Sequence, residues 1–194
     1  MKSNYNKLSN KILNCKLCAL SKTRKNAVVG GGVLGSDIML IGEAPGADED
    51  ISGEPFVGRS GKLLMELLAE IGVSREKNLY ITNTVKCRPP ENRNPLKDET
   101  AVCKKFLDEQ ISLHKTNIII LVGNFACKYF LGNKAQISKI HGEFIEYENM
   151  LLFPVYHPAA ILRNINLKPI MREDLQKLKK KILNNWLIKH LYFL

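Results

Sequence analysis

Four cysteines stand in a pattern that could hold a metal. Cys15-Lys-Leu-Cys18 comes early, and Cys87 and Cys103 follow far along the chain with fifteen residues between them. A CxxC pair can close on one side of a metal and the distant pair can complete a tetrahedron. Four thiolates suit zinc or a [4Fe-4S] cluster, and spacing does not decide between them. With all four bound, no coordination position is left for substrate, so the expected task is structural. Such a centre would tie the N-terminal segment to the loop that carries Arg88, Arg93 and Lys97, where a phosphate backbone could be met. Cys127, in the apolar context Phe125-Ala-Cys-Lys-Tyr-Phe130, is expected in the core.

A second constellation is the stretch Leu40-Ile-Gly-Glu-Ala-Pro-Gly-Ala-Asp-Glu-Asp50. It matches neither a dinucleotide fingerprint nor a phosphate loop, and Glu43, Asp48, Glu49 and Asp50 would repel a pyrophosphate. Its glycines still let backbone approach something closely. Phe56 follows between turn formers, as a core plug or as a flat surface for a planar ligand. Asn83 is an amide near the end of an apolar strand; it caps a loop or reads the edge of a base, since a carboxamide offers donor and acceptor side by side. His157 is aimed by the proline after it and follows the last apolar run.

These residues need strand ends to hold them. Apolar runs over Asp37–Gly42, Leu79–Val85, Asn117–Gly123 and Leu151–Val155 predict strands. Helical patterns lie between, over Gly61–Ile71, Lys97–Leu113 and Asn124–Leu131, and Lys168–Trp186 is a basic amphipathic helix with Ile170, Leu175, Leu178 and Ile182 on its buried side. Gly132 to Tyr147 is expected to be a loop or an edge hairpin. Alternating strand and helix argues for an α/β fold with parallel strands covered on both faces, and the loops after Ile41, Val85, Val122 and Val155 are then the places for ligands. The 194 residues suit one domain, 1–194. The 29 basic against 19 acidic residues, net +10, draw the chain to polyanions such as nucleic acid or anionic membrane. No apolar run is long enough to span a bilayer and the start is polar, so a cytoplasmic protein with no membrane partner is expected.

As a set, the CxxC pair, GEAPGADED, GEPFVGRSGKLL, ITNTVKCRPPENRNP, Cys103 and YHPAA closely resemble family 4 uracil-DNA glycosylases, the iron-sulfur branch of the uracil glycosylase superfamily, from about Cys15 to Arg163. The resemblance implies a three-layer α/β/α sandwich around a four-stranded parallel sheet, with a structural [4Fe-4S] cluster on Cys15, Cys18, Cys87 and Cys103 and zinc as the lesser alternative. It implies removal of uracil from single- or double-stranded DNA, leaving an abasic site. Phe56 resembles the aromatic on which the extruded base stacks, Asn83 the amide that reads uracil O4 and N3, and His157 the histidine that meets O2. Gly42 and Ala44 resemble the backbone brought against the nucleotide.

Leu162 or Arg163 stands where superfamily members place a wedge and phosphate contacts. In family 1 the first motif carries a water-positioning aspartate where this chain has Ala44, which leaves Glu43 and Glu49 as the acids available by position. Pro158-Ala159 replaces a proline-serine pair found in many members. A related branch forms a covalent sugar adduct through a histidine on an insertion; the loop CRPPENRNP has neither, so hydrolysis is the expected outcome. A monomer is expected, with downstream base excision repair proteins as further partners. The rival readings are a non-catalytic iron-sulfur nucleic-acid-binding module and a flavodoxin-like carrier.

Overall fold

The computed structural model of the protein describes residues 1–191, with side chains described through Asn184. Its sheet has six strands: β1 Gly31–Gly32, β2 Ile38–Gly42, β3 Leu79–Asn83, β4 Ile118–Val122, β5 Ile145–Tyr147 and β6 Met150–Val155. Their order is β1-β3-β2-β4-β6-β5. The middle four pair in parallel, with Leu40 opposite both Ile81 and Ile120, and Ile120 opposite Phe153. These are the four predicted strands. All of β2, β3 and β4 is buried, as near-continuous apolar runs require of strands covered on both faces. The sheet extends beyond the expected four strands by an antiparallel strand at each edge, β1 against β3 and β5 against β6. The second of these begins at the end of Gly132–Tyr147, the stretch expected to be a loop or an edge hairpin, which also holds a short helix over Ile137–Ile140.

The helices are α1 Lys2–Leu13, α2 Ala47–Ser52, α3 Arg59–Ala69, α4 Lys97–His114, α5 Gly123–Leu131, α6 Ile137–Ile140, α7 Pro158–Arg163 and α8 Leu167–Leu191. On one face Leu64, Leu67 and Leu68 of α3, Ile161 of α7, and Met171, Leu175 and Leu178 of α8 pack on Leu40, Ile81, Ile120 and Phe153. On the other, Leu107 of α4 and Ala126 and Cys127 of α5 cover Met39, Ile41, Ile119 and Leu121. Three layers result, with Cys127 in the core as expected. The buried stripe of α8 centres on Met171, Asp174, Leu175 and Leu178, and Ile170 is only half-buried. The apolar tail from Trp186 onward lies outside the residues whose side chains are described.

The sequence pattern gave no helix before Cys15, yet α1 is there. Only Leu8 and Ile12 of it are fully buried, in a cluster with Leu20, Val85 and Phe106. Each such side chain contributes about 1.5–3 kcal/mol by leaving water, so two anchors, with Tyr5 packed beside them, hold a helix whose other positions are mostly polar. This docking places Cys15 and Cys18 beside α4. No helix among the described residues is long and apolar enough to cross a membrane.

Candidate active site

The chain leaves β2 for β3 on one side and returns to β4 on the other, so the connections after β2 and β4 depart on opposite faces. A crevice opens at such a reversal, beyond the carboxyl ends of the strands. The cleft found there has a volume of about 760 Å³ and gathers Glu43, Ala44, Phe56, Asn83, Arg93, His157 and Arg163 from five separate segments.

Gly42 sets how closely two residues of its wall can approach. A Cβ at that position would lie 2.6 Å from the Phe56 ring and against Asn83 Oδ1, so glycine alone leaves ring and amide side by side. Asn83 ends β3 and is 2% exposed, and its Oδ1 is buried without a hydrogen-bond partner. A buried acceptor left open is costly unless a ligand supplies a donor. Phe56, 8% exposed, packs in the core with Leu64 and Ile81 while one side of it lines the cleft, so the ring is both a core plug and part of the cleft wall.

The four acids of the first loop part company. Asp48 is exposed. Asp50 is buried and accepts the backbone N–H groups of Lys25 and Asn26. Glu49 lines the cleft, but its oxygens accept N–H from Gly46 at 3.0 Å, Val57 at 3.0 Å and Gly58 at 2.9 Å, which fastens the first loop to the Phe56 loop. Glu43 carries no comparable set of donors, and burial pushes its carboxyl up to about 7.

His157 caps α7, with Nδ1 accepting the Ala159 N–H at 3.2 Å. Burial, aided by the Arg163 charge and opposed by that of Glu49, lowers its pKa to about 4. The ring is therefore neutral at physiological pH, and because Nδ1 accepts, Nε2 carries the proton. Gly123, at φ +84°, opens α5 directly against this ring; a Cβ there would come within 2.9 Å of His157 Cβ.

Of the predicted DNA contacts, Arg163 and Arg93 line the cleft. Arg93 is doubly bonded to the buried carboxylate of Glu99, at 2.9 and 2.7 Å, so its charge is largely answered within the protein. Arg88 donates to Asn92 Oδ1 at 2.8 Å, and Leu162 is 39% exposed beside Arg163. Sequence reasoning passed over Asn124, Phe125 and Lys128, which line the cleft from α5. The available signal was their place just after the third parallel strand.

Cys15, Cys18, Cys87 and Cys103 line one small cavity, walled by Ile12, Val102 and Phe106. Arg24 donates Nη1 to Cys87 Sγ at 2.8 Å and Nη2 to the Cys15 carbonyl at 2.8 Å, joining the CxxC segment to the distant pair. Burial pushes the Cys87 thiol up to about 11 and raises that of Cys103. Among the described residues no three of His, Cys, Asp and Glu converge on the position of a single metal ion. Between this cavity and the cleft stands Lys86, 1% exposed, whose Nζ donates to Thr82 Oγ1 at 2.7 Å and to the Asn83 carbonyl at 2.6 Å. Burial lowers its pKa to about 8, against the pull of Cys103 and Cys87.

The Uracil DNA glycosylase superfamily model matches residues 29–186. The chain is 42% identical over 183 residues to a type-4 uracil-DNA glycosylase of Sulfurisphaera tokodaii, covering 90% of this chain and 83% of that protein. The chain belongs to the type-4 uracil-DNA glycosylases. A type-4 uracil-DNA glycosylase of Saccharolobus solfataricus is 43% identical over 92% of this chain and 87% of its own. One from Thermotoga maritima is 42% identical over 90% and 93% respectively.

Proposed function

We propose that the cleft receives a uracil nucleotide turned out of DNA and hydrolyses its N-glycosidic bond, leaving an abasic site. The observation that carries this reading is the open amide of Asn83 beside the Phe56 ring. Uracil offers N3–H to Oδ1 and takes the Nδ2–H at O4, whereas cytosine presents the reverse pattern at both atoms. A paired base cannot reach the pocket, so the nucleotide must be extruded, at a cost of a few kcal/mol that is least for mismatched or single-stranded uracil.

As the bond from C1′ to N1 breaks, its electron pair passes to the base and charge gathers on O2. The neutral His157 donates Nε2–H there, a fixed donor aimed where negative charge develops. Water adds to C1′ and its proton passes to a carboxylate. Glu43 is the base for this step, because Glu49 already answers three backbone N–H groups and serves to hold the two loops together. Gly42 and Ala44 bring backbone to the nucleotide, and Arg163, Lys128, Arg88 and Leu162 border the path of the strand. Ionised Glu43 also favours the positive charge on the sugar.

Cys15, Cys18, Cys87 and Cys103 would hold a [4Fe-4S] cluster. The fit rests on four sulfurs around one apolar cavity and on the cations of Arg24 and Lys86, which offset thiolate charge. When bound, the cluster would supply a cross-link among the segment after α1, the segment after β3 and helix α4.

A non-catalytic iron-sulfur nucleic-acid-binding module would leave the Asn83 amide, the neutral His157 and Glu43 without use. The test is incubation with uracil-containing oligonucleotides followed by alkali: strand cleavage at the uracil position and free uracil in solution are expected. Tight binding without base release would make the protein a binding module.

A further inference from the structure

Phe56 is held in a conformation that side chains rarely adopt. Its φ is +54°, in the left-handed region where a Cβ is disfavoured. Left to itself, the Pro55-Phe56 turn would relax and carry the ring away from Gly42 and Asn83, so something must fix the backbone. Two groups grip one peptide. Glu49 Oε1 takes the Val57 N–H at 3.0 Å, and Arg75 Nη2 donates to the Phe56 carbonyl at 3.2 Å and to the Pro55 carbonyl at 2.9 Å. The Phe56 C=O and the Val57 N–H are the two ends of the same planar unit, so together they set its orientation. Gly61 completes the seat, since a Cβ there would collide with the Phe56 carbonyl group.

Arg75 comes from elsewhere in the chain, from the turn that leads into β3. That turn is braced by its own bonds: Asn78 Oδ1 accepts the Ser74 N–H at 3.0 Å and Asn78 Nδ2 donates to Gly72 O at 3.1 Å. The Arg75 side chain is 24% exposed, and its other guanidinium nitrogen stands 4.0 Å from the exposed Glu54 carboxylate. It is absent from the wall of the cleft. Its position therefore gives it no contact with a bound nucleotide, and its donors are spent on the backbone behind the stacking ring.

We infer that Arg75 is a positioning residue for base stacking: its guanidinium, bridging the Pro55 and Phe56 carbonyls, holds Phe56 in the left-handed conformation that presents the ring to uracil. The inference rests on the reading of Phe56 as the stacking surface. Substitution at Arg75 should therefore weaken recognition of the base and leave recognition of the DNA strand as it was.

The experiment measures uracil release from a single-stranded uracil oligonucleotide, inhibition by free uracil, and binding of an abasic-site oligonucleotide, with melting temperatures alongside. The proteins are the wild type, Arg75→Met, Arg75→Lys, Arg75→Gln, Phe56→Ala and the double variant Phe56→Ala/Arg75→Met. Arg75→Met should weaken uracil inhibition and lower kcat/KM by about fivefold to a hundredfold, the range of a lost base-aromatic stack, while abasic-site binding changes by less than about twofold. Arg75→Lys should restore part of the loss, and in the Phe56→Ala background the methionine should add less than about twofold. A folded Arg75→Met protein with wild-type uracil inhibition overturns the inference, as does an equal loss in the Phe56→Ala background. If Arg75→Met does not fold, Arg75→Gln decides by the same constants. Unchanged uracil inhibition in Phe56→Ala itself would instead defeat the stacking reading on which the inference stands.

Discussion

Lys86 holds Asn83 from behind: its buried Nζ donates to the Asn83 main-chain carbonyl at 2.6 Å, while its neighbour Cys87 faces the cysteine cavity. The residue whose open amide faces the cleft is thus fixed by a cation standing between the two sites. Lys86→Met should take a donor from that carbonyl and from Thr82 Oγ1, which keeps its bond to the Val29 carbonyl, and lower stability by about 1–3 kcal/mol, the usual cost of a lost buried partner. Denaturant titration measures this; a variant as stable as the wild type and equally active would show that the bond has no part in placing Asn83.

Cys87 is bound by Arg24 and shares a cavity with the three other cysteines. Cys87→Ala should abolish iron content and visible absorbance and lower the melting temperature, because the tie between the segment after α1 and the segment after β3 is cut. Iron analysis, the visible spectrum and a thermal melt of one sample check it, and unchanged values in all three would refute the ligand assignment.

The acid limb of the pH profile should belong to Glu43. Its carboxyl, raised by burial to about 7, must be ionised to accept the proton of water, so log kcat/KM should climb through that region as pH rises. His157 must stay neutral and does so down to about 4, so it should add no fall above that pH. Glu43→Gln should lower kcat and flatten the limb. A limb that persists unchanged in Glu43→Gln would assign it to another group.

Glu49 predicts a different phenotype. Its three backbone partners join the first loop to the Phe56 loop, so Glu49→Ala should lower the melting temperature and weaken inhibition by free uracil, as the ring loses its anchor. Glu43→Gln should leave both nearly unchanged. Identical behaviour of the two variants in melting and inhibition would contradict this division of labour.

The four parallel strands were legible because Ile38–Ile41 and Ile118–Val122 are apolar throughout, as burial on both faces demands. The edge strands were less so: Gly31–Gly32 has no side-chain pattern, and Ile145–Tyr147, three residues long, fell in a stretch that reads equally as a loop or an edge hairpin. Helix α1 escaped because only Leu8 and Ile12 of its twelve residues are fully buried, so its sequence reads as polar. Phe56, Asn83 and His157 could be named from residue type and place. The parting of Glu43 from Glu49 could not, since it depends on which backbone N–H groups the fold turns toward a carboxylate. Arg75 and Lys86 were hidden for the same reason, because each acts on main-chain carbonyls that carry no mark in the sequence.

The central claim is that the Asn83 amide reads uracil in this cleft. Its most direct test is single-turnover base release from matched oligonucleotides carrying uracil or cytosine, by the wild type and by Asn83→Asp. The wild type should release uracil and leave cytosine. Asn83→Asp, which loses the donor to O4, should release uracil at least about tenfold more slowly, as expected for a lost hydrogen bond with an acceptor left unpaired, and should lose the preference against cytosine. Full, uracil-specific release by Asn83→Asp would contradict the account.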